Sequence, residues 1–374
     1  MIADTKDTPA PNPGILDIAP YVGGESALAG ERDVIKLSSN EGALGPSPKA
    51  MEAFRQCADK LHRYPDGHAT VLREALAERH GLDASRIVCG AGSDEIISLL
   101  CQAYAGPGGE VVHSAHGFLM YALSTKAAGG TPVSVPEQDL VADVDGILAA
   151  VNDATRIVFI ANPNNPTGTH LNAQQIRQLH AGLPRNVLLV VDAAYAEFVD
   201  QDDYTDGSEL VRDHDNVVMT RTFSKIYGLG GLRLGWCYAP EGIADVLNRV
   251  RGPFNVSSAA IAAGVAAVAD IDFVERARRE NAENRTWTTA ALRDLGLEVS
   301  DSLGNFVLVQ IPDIDGGNLG SGSAACDSHL KSRGIIVRRM DGYGLPDRLR
   351  VSIGSREEME TFVNAMTVFS VGRL

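Results

Sequence analysis

Apolar and polar positions alternate in short runs along most of this chain, and the runs change period in a regular way. β-branched stretches predict strands at Ile87–Gly90, Glu110–Ser114, Thr131–Val135, Arg156–Ala161, Asn186–Asp192, Asn216–Thr220 and Arg233–Tyr238. Amphipathic helical patterns lie between most of them, as a mainly parallel sheet covered on both faces requires. One helix is marked with particular clarity. Ser93, Asp94 and Glu95 precede the apolar stripe Ile96, Ile97, Leu99, Leu100 and Tyr104, and Gly106-Pro107-Gly108-Gly109 ends it. The pattern shifts near Gly252-Pro253. A long helical stretch from Ala259 to about Leu295 follows, then short strands near Asn305–Ile311, Ile335–Arg338 and Leu349–Ile353. The expected organisation is an arm over residues 1–40, a large α/β unit over 41–252 and a smaller α+β unit over 253–374. Gly316–Ser323 reads as a surface loop, and no internal repeat is visible.

The length of 374 residues suits two packed units, and 44% hydrophobic with 22% charged residues is the balance of a soluble globular chain. Lys and Arg number 33 against 48 Asp and Glu, a formal net charge of −15, which argues against nucleic-acid or anionic-membrane partners. An anionic ligand would therefore need cations gathered locally. The five cysteines (Cys57, Cys89, Cys101, Cys237, Cys326) are scattered and never form C-x-x-C, so free thiols in a reducing compartment are expected. The nine histidines show no metal-ligand spacing, and no metal site is expected. The opening residues lack an apolar h-region and Ala259–Ala269 is too short to span a bilayer, so a cytoplasmic protein is expected.

Four segments carry candidate chemistry. In Arg221-Thr222-Phe223-Ser224-Lys225, with Gly228, Gly230, Gly231 and Arg233 downstream, the hydroxyls of Thr222 and Ser224 can donate to phosphate oxygens. Arg233 can grip a dianion bidentately, and Lys225, shielded from water, can form an imine with a carbonyl compound. The glycines break G-x-G-x-x-G at its last position, so a dinucleotide site is not indicated. Asp192 sits at the carboxyl end of a buried-looking strand with Tyr195 three residues on; a carboxylate there would keep a pyridine nitrogen protonated. Asn162-Pro163-Asn164-Asn165-Pro166-Thr167-Gly168 is a rigid loop that can aim the amide of Asn165 at a ring oxygen. Cys89-Gly90-Ala91-Gly92-Ser93 leads from a strand into a helix N-terminus, whose free N–H groups attract phosphate. Each segment taken alone is equally compatible with a turn, a cap or a core residue.

In order and spacing, N-P-x-N-P-T-G, D-x-x-Y and S-K-x-x-x-x-x-x-x-R between Asn162 and Arg233 resemble pyridoxal-phosphate-dependent aminotransferases of the aspartate-aminotransferase fold type (fold type I). Within these, the chain is similar to the histidinol-phosphate aminotransferase family, of class II. That similarity is carried by Ala19-Pro20-Tyr21, Ser39-Asn40-Glu41, Arg63-Tyr64-Pro65, Gly334-Ile335-Ile336-Val337-Arg338 and Leu349-Arg350-Val351-Ser352-Ile353-Gly354. The resemblance implies that Lys225 holds the cofactor as a Schiff base, Asp192 pairs its ring nitrogen, and Asn165 and Tyr195 bind its ring hydroxyl. Thr222, Ser224, Arg233 and backbone at Gly92 and Ser93 would hold its phosphate, with Tyr64 reaching in from the second subunit of a homodimer. Arg350, with Arg338, Tyr21 and Asn40 nearby, would bind the anionic end of the amino donor, and 2-oxoglutarate would accept the amino group. The sequence departs from the family at the ring-stacking aromatic: Ser114-Ala115-His116-Gly117-Phe118-Leu119-Met120-Tyr121 places Phe118 there, with His116 the other candidate. The same pattern is shared by aromatic amino-acid aminotransferases and threonine-phosphate decarboxylases, and a cofactor-binding regulator without catalysis is a further reading.

Overall fold

A computed structural model describes residues 11–12, 14–20, 23–28, 33–313 and 318–371. Tyr21 lies outside the described residues, as does part of the expected loop at 316–323. In chain order the elements begin with β1 (Ile35–Lys36), α1 (Pro48–Arg55) and α2 (Thr70–His80). The alternating part follows: β2 (Ile87–Gly90), α3 (Ser93–Tyr104), β3 (Glu110–Ser114), α4 (Met120–Ala127), β4 (Thr131–Val135), α5 (Val144–Ala150), β5 (Thr155–Ala161), α6 (Ala173–Gly182), β6 (Leu188–Asp192), α7 (Ser208–Asp213), β7 (Val217–Thr222), β8 (Gly235–Tyr238) and α8 (Glu241–Val250). The remainder is α9 (Ser258–Ala269), α10 (Ile271–Asp294), β9 (Phe306–Gln310), α11 (Ser321–Lys331), β10 (Ile335–Ile336), β11 (Arg338–Met340), β12 (Leu345–Ser352) and α12 (Arg356–Val371).

Seven strands form one sheet in the order β2-β8-β7-β6-β5-β3-β4. β4, β3, β5, β6 and β7 run parallel, while β8 is antiparallel to both of its neighbours. The reversal at β8 has a local cause. Only residues 223–234 separate β7 from β8, without a crossover helix, so the chain returns antiparallel. Both ends of that segment therefore lie at the edge where β7 finishes, and it carries Ser224, Lys225 and Arg233 to that edge. Strand order also reverses between β3 and β5, the kind of switch point that opens a crevice beyond the carboxyl ends of parallel strands. The segments after β3 and β5 carry Phe118 and Asn165, and the end of β6 with the residues after it carries Asp192 and Tyr195.

The central strands are buried on both faces, which is why β6 and β7 open on apolar runs before their polar ends: β2, β6, β7 and β8 contain no exposed residue. α3 begins at Ser93 with Gly92 as its cap, at a positive φ of 90° that glycine adopts freely. The expected strand Arg233–Tyr238 starts at Gly235: Arg233, at φ 50°, still belongs to the turn. The long helical stretch is two helices interrupted at Asp270, whose carboxylate accepts from Lys49 at 2.7 Å. α9 packs its small residues into the core beneath the large sheet. A Cβ on Gly264 would lie 2.6 Å from Leu234 and 3.1 Å from Leu72.

A second core surrounds the three-stranded antiparallel sheet β11-β12-β9 and helices α10, α11 and α12. The expected strand Ile335–Arg338 is divided: Ile335–Ile336 pairs in parallel with β1, and Arg338 begins β11 on the other sheet. β1 thereby ties residues 35–37 to this second unit, where Leu37 is buried. Ser321–Ser323, expected in a loop, open α11, with Ser323 fully buried and its hydroxyl bonded to the carbonyls of Gly320 and Pro346. No helix among the described residues is long and apolar enough to cross a membrane.

Candidate active site

A cavity of about 190 Å3 opens where the large sheet, the segment 38–40 and the second unit meet. Its lining includes Lys225, Asp192, Asn165, Tyr195, Thr222, Ser224, Arg233, Ser93, Phe118, Asn40, Arg338 and Arg350. Gly92 underlies the same wall, its α-carbon facing the Arg233 guanidinium: a Cβ there would sit 2.4 Å from Nη2. Tyr64 is not part of this wall. It is 83% exposed and stacks on Phe254 with ring centroids 4.8 Å apart.

At one end, Asp192 lies at the tip of β6, 4% exposed. Tyr121 donates its hydroxyl to Oδ2 at 2.7 Å and Thr220 donates to Oδ1 at 3.0 Å. Burial pushes the carboxyl up to about 6, against the pull of these hydroxyl donors. Phe118 sets its ring edge-on to Tyr121, with centroids 5.8 Å apart. His116 faces elsewhere, its ring and backbone N–H both bonded to the buried carboxylate of Glu137. Of the two stacking candidates, Phe118 is therefore the one on the cavity wall.

At the other end, the start of α3 presses on β8. A Cβ on Gly235 would lie 2.3 Å from the Ser93 nitrogen, so only glycine lets these backbones approach. Arg233 reaches Ser224 Oγ at 3.3 Å through Nη1 and Asp94 Oδ2 at 2.9 Å through Nη2. Thr222 Oγ1 accepts the backbone N–H of Ser224 at 3.1 Å, shaping the turn that precedes Lys225. Arg233 and Asp94 are 48% and 42% exposed, so this end is open to solvent in the single chain.

Between the two ends stands Lys225. Its Nζ makes one long contact, 3.4 Å to the carbonyl of Ser39, and lies 5.7 Å from the centroid of the Tyr195 ring. Burial, followed by the charge of Arg350, lowers its pKa from 10.5 to about 8. Tyr195 is 3% exposed, and its hydroxyl accepts from Asn40 Nδ2 at 3.0 Å. Asn40 is itself clamped: its N–H donates to Ser352 Oγ at 2.7 Å and its carbonyl accepts from Asn305 at 3.0 Å. Arg350, on β12, donates to Asn165 Oδ1 at 2.5 Å and to the Ser38 carbonyl at 3.0 Å. Its Nε is buried without a partner. A buried guanidinium with an orphaned donor is suited to an anion arriving from the cavity.

These residues fit pyridoxal phosphate. A buried carboxylate lies opposite an arginine, two hydroxyls and a helix N-terminus, with an almost unbonded lysine amine between them. Sequence reasoning did not single out Tyr121, Thr220, Ser38, Ser39 or Tyr343, all of which contact Asp192 or line the cavity. A tyrosine at a strand–helix junction needs a partner for its hydroxyl when buried, and that need is the signal by which Tyr121 is legible.

An open α/β sheet with a buried lysine, a carboxylate and a group of hydroxyl and guanidinium donors at its carboxyl edge is an arrangement suited to an aldehyde cofactor carrying a phosphate. The model of the aminotransferase class I and II family matches residues 32–366. The histidinol-phosphate aminotransferase of Paramagnetospirillum magneticum is 58% identical over 361 residues, spanning 96% of this chain and 98% of the relative. That of Rhodospirillum centenum is 58% identical over 358 residues, with the same shares of each chain. Among solved structures, the histidinol-phosphate aminotransferase from Sinorhizobium meliloti, in complex with pyridoxal-5'-phosphate, superposes with a TM-score of 0.88 at 30% identity, covering 98% of this chain and 99% of that one. A Thermus thermophilus aspartate aminotransferase shares the fold at 21% identity, with a TM-score of 0.79, covering 90% of this chain and 92% of that one. The chain belongs to the class I and II aminotransferases, within the histidinol-phosphate aminotransferase family.

Proposed function

We propose that this chain is a pyridoxal-phosphate-dependent histidinol-phosphate:2-oxoglutarate aminotransferase working as a homodimer. The observation that carries the reading is the meeting, in one cavity, of a lysine held below its ordinary pKa, a buried carboxylate and arginines from both units. The names of relatives more than half identical over almost the whole length favour histidinol phosphate over an aromatic amino acid or threonine phosphate.

Asp192 would hold the cofactor's ring nitrogen, Asn165 and Tyr195 its ring hydroxyl, and Phe118 would lie on its face. Thr222, Ser224, Arg233 and the backbone at Gly92 and Ser93 would hold its phosphate. Bound there, pyridoxal phosphate supplies an electron sink for the charge left on a donor's Cα. Lys225 would hold the cofactor through its amine. As a general base, its Nζ would take the proton from a donor's Cα, a task its lowered pKa suits near neutral pH. Arg350, with Arg338 on the cavity wall, receives the anionic end of donor and acceptor in turn. The open end at Arg233 and the exposed Tyr64–Phe254 pair support a second subunit that closes the phosphate side with its own Tyr64.

A half-reaction titration tests this reading. The yellow protein is given histidinol phosphate, tyrosine, phenylalanine or threonine phosphate, and loss of its visible absorbance is followed. The most efficient bleaching is expected with histidinol phosphate, with 2-oxoglutarate restoring the colour. Equal or better efficiency with tyrosine would transfer the assignment to an aromatic aminotransferase, and carbon dioxide from threonine phosphate would make it a decarboxylase.

A further inference from the structure

We infer that Tyr121, assisted by Thr220, is a positioning residue that keeps Asp192 ionised, so that the shared proton stays on the cofactor's ring nitrogen. The inference rests on the cofactor reading above. Its basis is the packing around Asp192. Tyr121 is 1% exposed and cannot swing away: its ring lies flat on Phe159, with centroids 4.6 Å apart and planes 2° from parallel, and Phe118 abuts it edge-on. Its hydroxyl is thereby fixed on Oδ2 at 2.7 Å, while the fully buried Thr220 supplies a donor to Oδ1 at 3.0 Å.

Each carboxylate oxygen thus has a neutral O–H pointed at it from inside the protein. Burial by itself favours the neutral acid, and donors of this kind favour the anion. The Tyr121 hydroxyl is in turn held well above its ordinary pKa, by burial first and the Asp192 charge second, so it remains a donor. If one donor is lost, Asp192 becomes more basic and the proton moves along the N···O line from nitrogen to carboxylate. One N–H bond is exchanged for one O–H bond, and the net charge of the pair is unchanged. A tyrosine present only to fill the core would not influence where that proton sits.

The test is 15N NMR of holoenzyme reconstituted with ring-15N pyridoxal phosphate, comparing wild type, Tyr121→Phe and Thr220→Val at one pH. The wild-type resonance is expected at the protonated-pyridine position. Tyr121→Phe should move it towards the neutral-pyridine position and weaken cofactor retention roughly tenfold or more, since a hydrogen bond to a charged group is lost. Thr220→Val should move it the same way by a smaller amount, and it keeps the test decisive if Tyr121→Phe does not fold. A labelled wild type with both folded variants unmoved overturns the inference and leaves the cofactor reading standing. A wild type that captures no label overturns both.

Discussion

Lys225 makes a prediction that needs no cofactor. Its amine titrates near 8 in the folded chain against 10.5 ordinarily, because burial and the neighbouring Arg350 penalise the charged form. At about 1.4 kcal/mol per pKa unit, the ammonium is about 3.4 kcal/mol less favourable in the folded state than in the unfolded one. Below about pH 8 both states carry the proton and the penalty is fully present. Between about pH 8 and 10.5 the folded chain has released it and the unfolded chain has not, so stability rises with pH. The gain from this one group, integrated from about pH 7 to about pH 9.5, is about 2 kcal/mol. Lys225→Met removes the titration and leaves the other groups in place, so subtracting the variant's profile isolates it. Urea unfolding of the apo forms at both pH values should show the wild-type-minus-variant difference growing by about 2 kcal/mol. Profiles that run parallel would show that the amine is not depressed, and the general-base argument would fail with it. The same shift leaves roughly a quarter of Lys225 as free amine near pH 7.5, where an ordinary lysine has about one part in a thousand.

Two further outcomes follow from the cofactor and subunit readings. Asp94 occupies the Arg233 guanidinium at 2.9 Å in the half-exposed phosphate end, so phosphate must compete with a carboxylate. Asp94→Asn should tighten pyridoxal-phosphate binding about two- to fivefold, the scale of an exposed charge pair, measured by equilibrium dialysis; weaker binding would show that Asp94 assists the phosphate instead. For the shared site, Tyr64→Ala and Lys225→Ala chains are refolded together. Their heterodimers hold one intact site each, so activity should recover to about a quarter of wild type. Recovery no greater than the sum of the separate variants would place Tyr64 in its own subunit's site or outside catalysis.

What the sequence made legible was local. Asp192 at the end of β6, and Asn165, Ser224 and Lys225 a short way past strand ends, are legible because parallel strands buried on both faces contain apolar runs, and the polar residues that break a run stand near the crevice edge. Boundaries slipped where backbone conformation decided them, as at Gly92 and Arg233 with positive φ. The division of residues 335–340 between two sheets was equally hidden, since two residues pair with β1 and the next strand with β12. No local period encodes a partner some 300 positions away.

The same distance explains why the surroundings of the site were less visible than its chemistry. Arg350 is 185 residues from Asn165 and 312 from Ser38, yet bonds to both, and Tyr121 is 71 residues from the carboxylate it serves. Motifs register groups intended for a ligand, because these sit together in short turns. The groups that orient them come from the packing of whole layers: α4 sets Tyr121 beneath β6, and β12 delivers Arg350 under the segment that follows β1. A chain of net charge −15 gathers cations at an anion site in this way. Lys225 and Arg233 come from the segment after β7 and Arg350 from the second unit's sheet, so the site's full positive charge is assembled only once the two units are packed together.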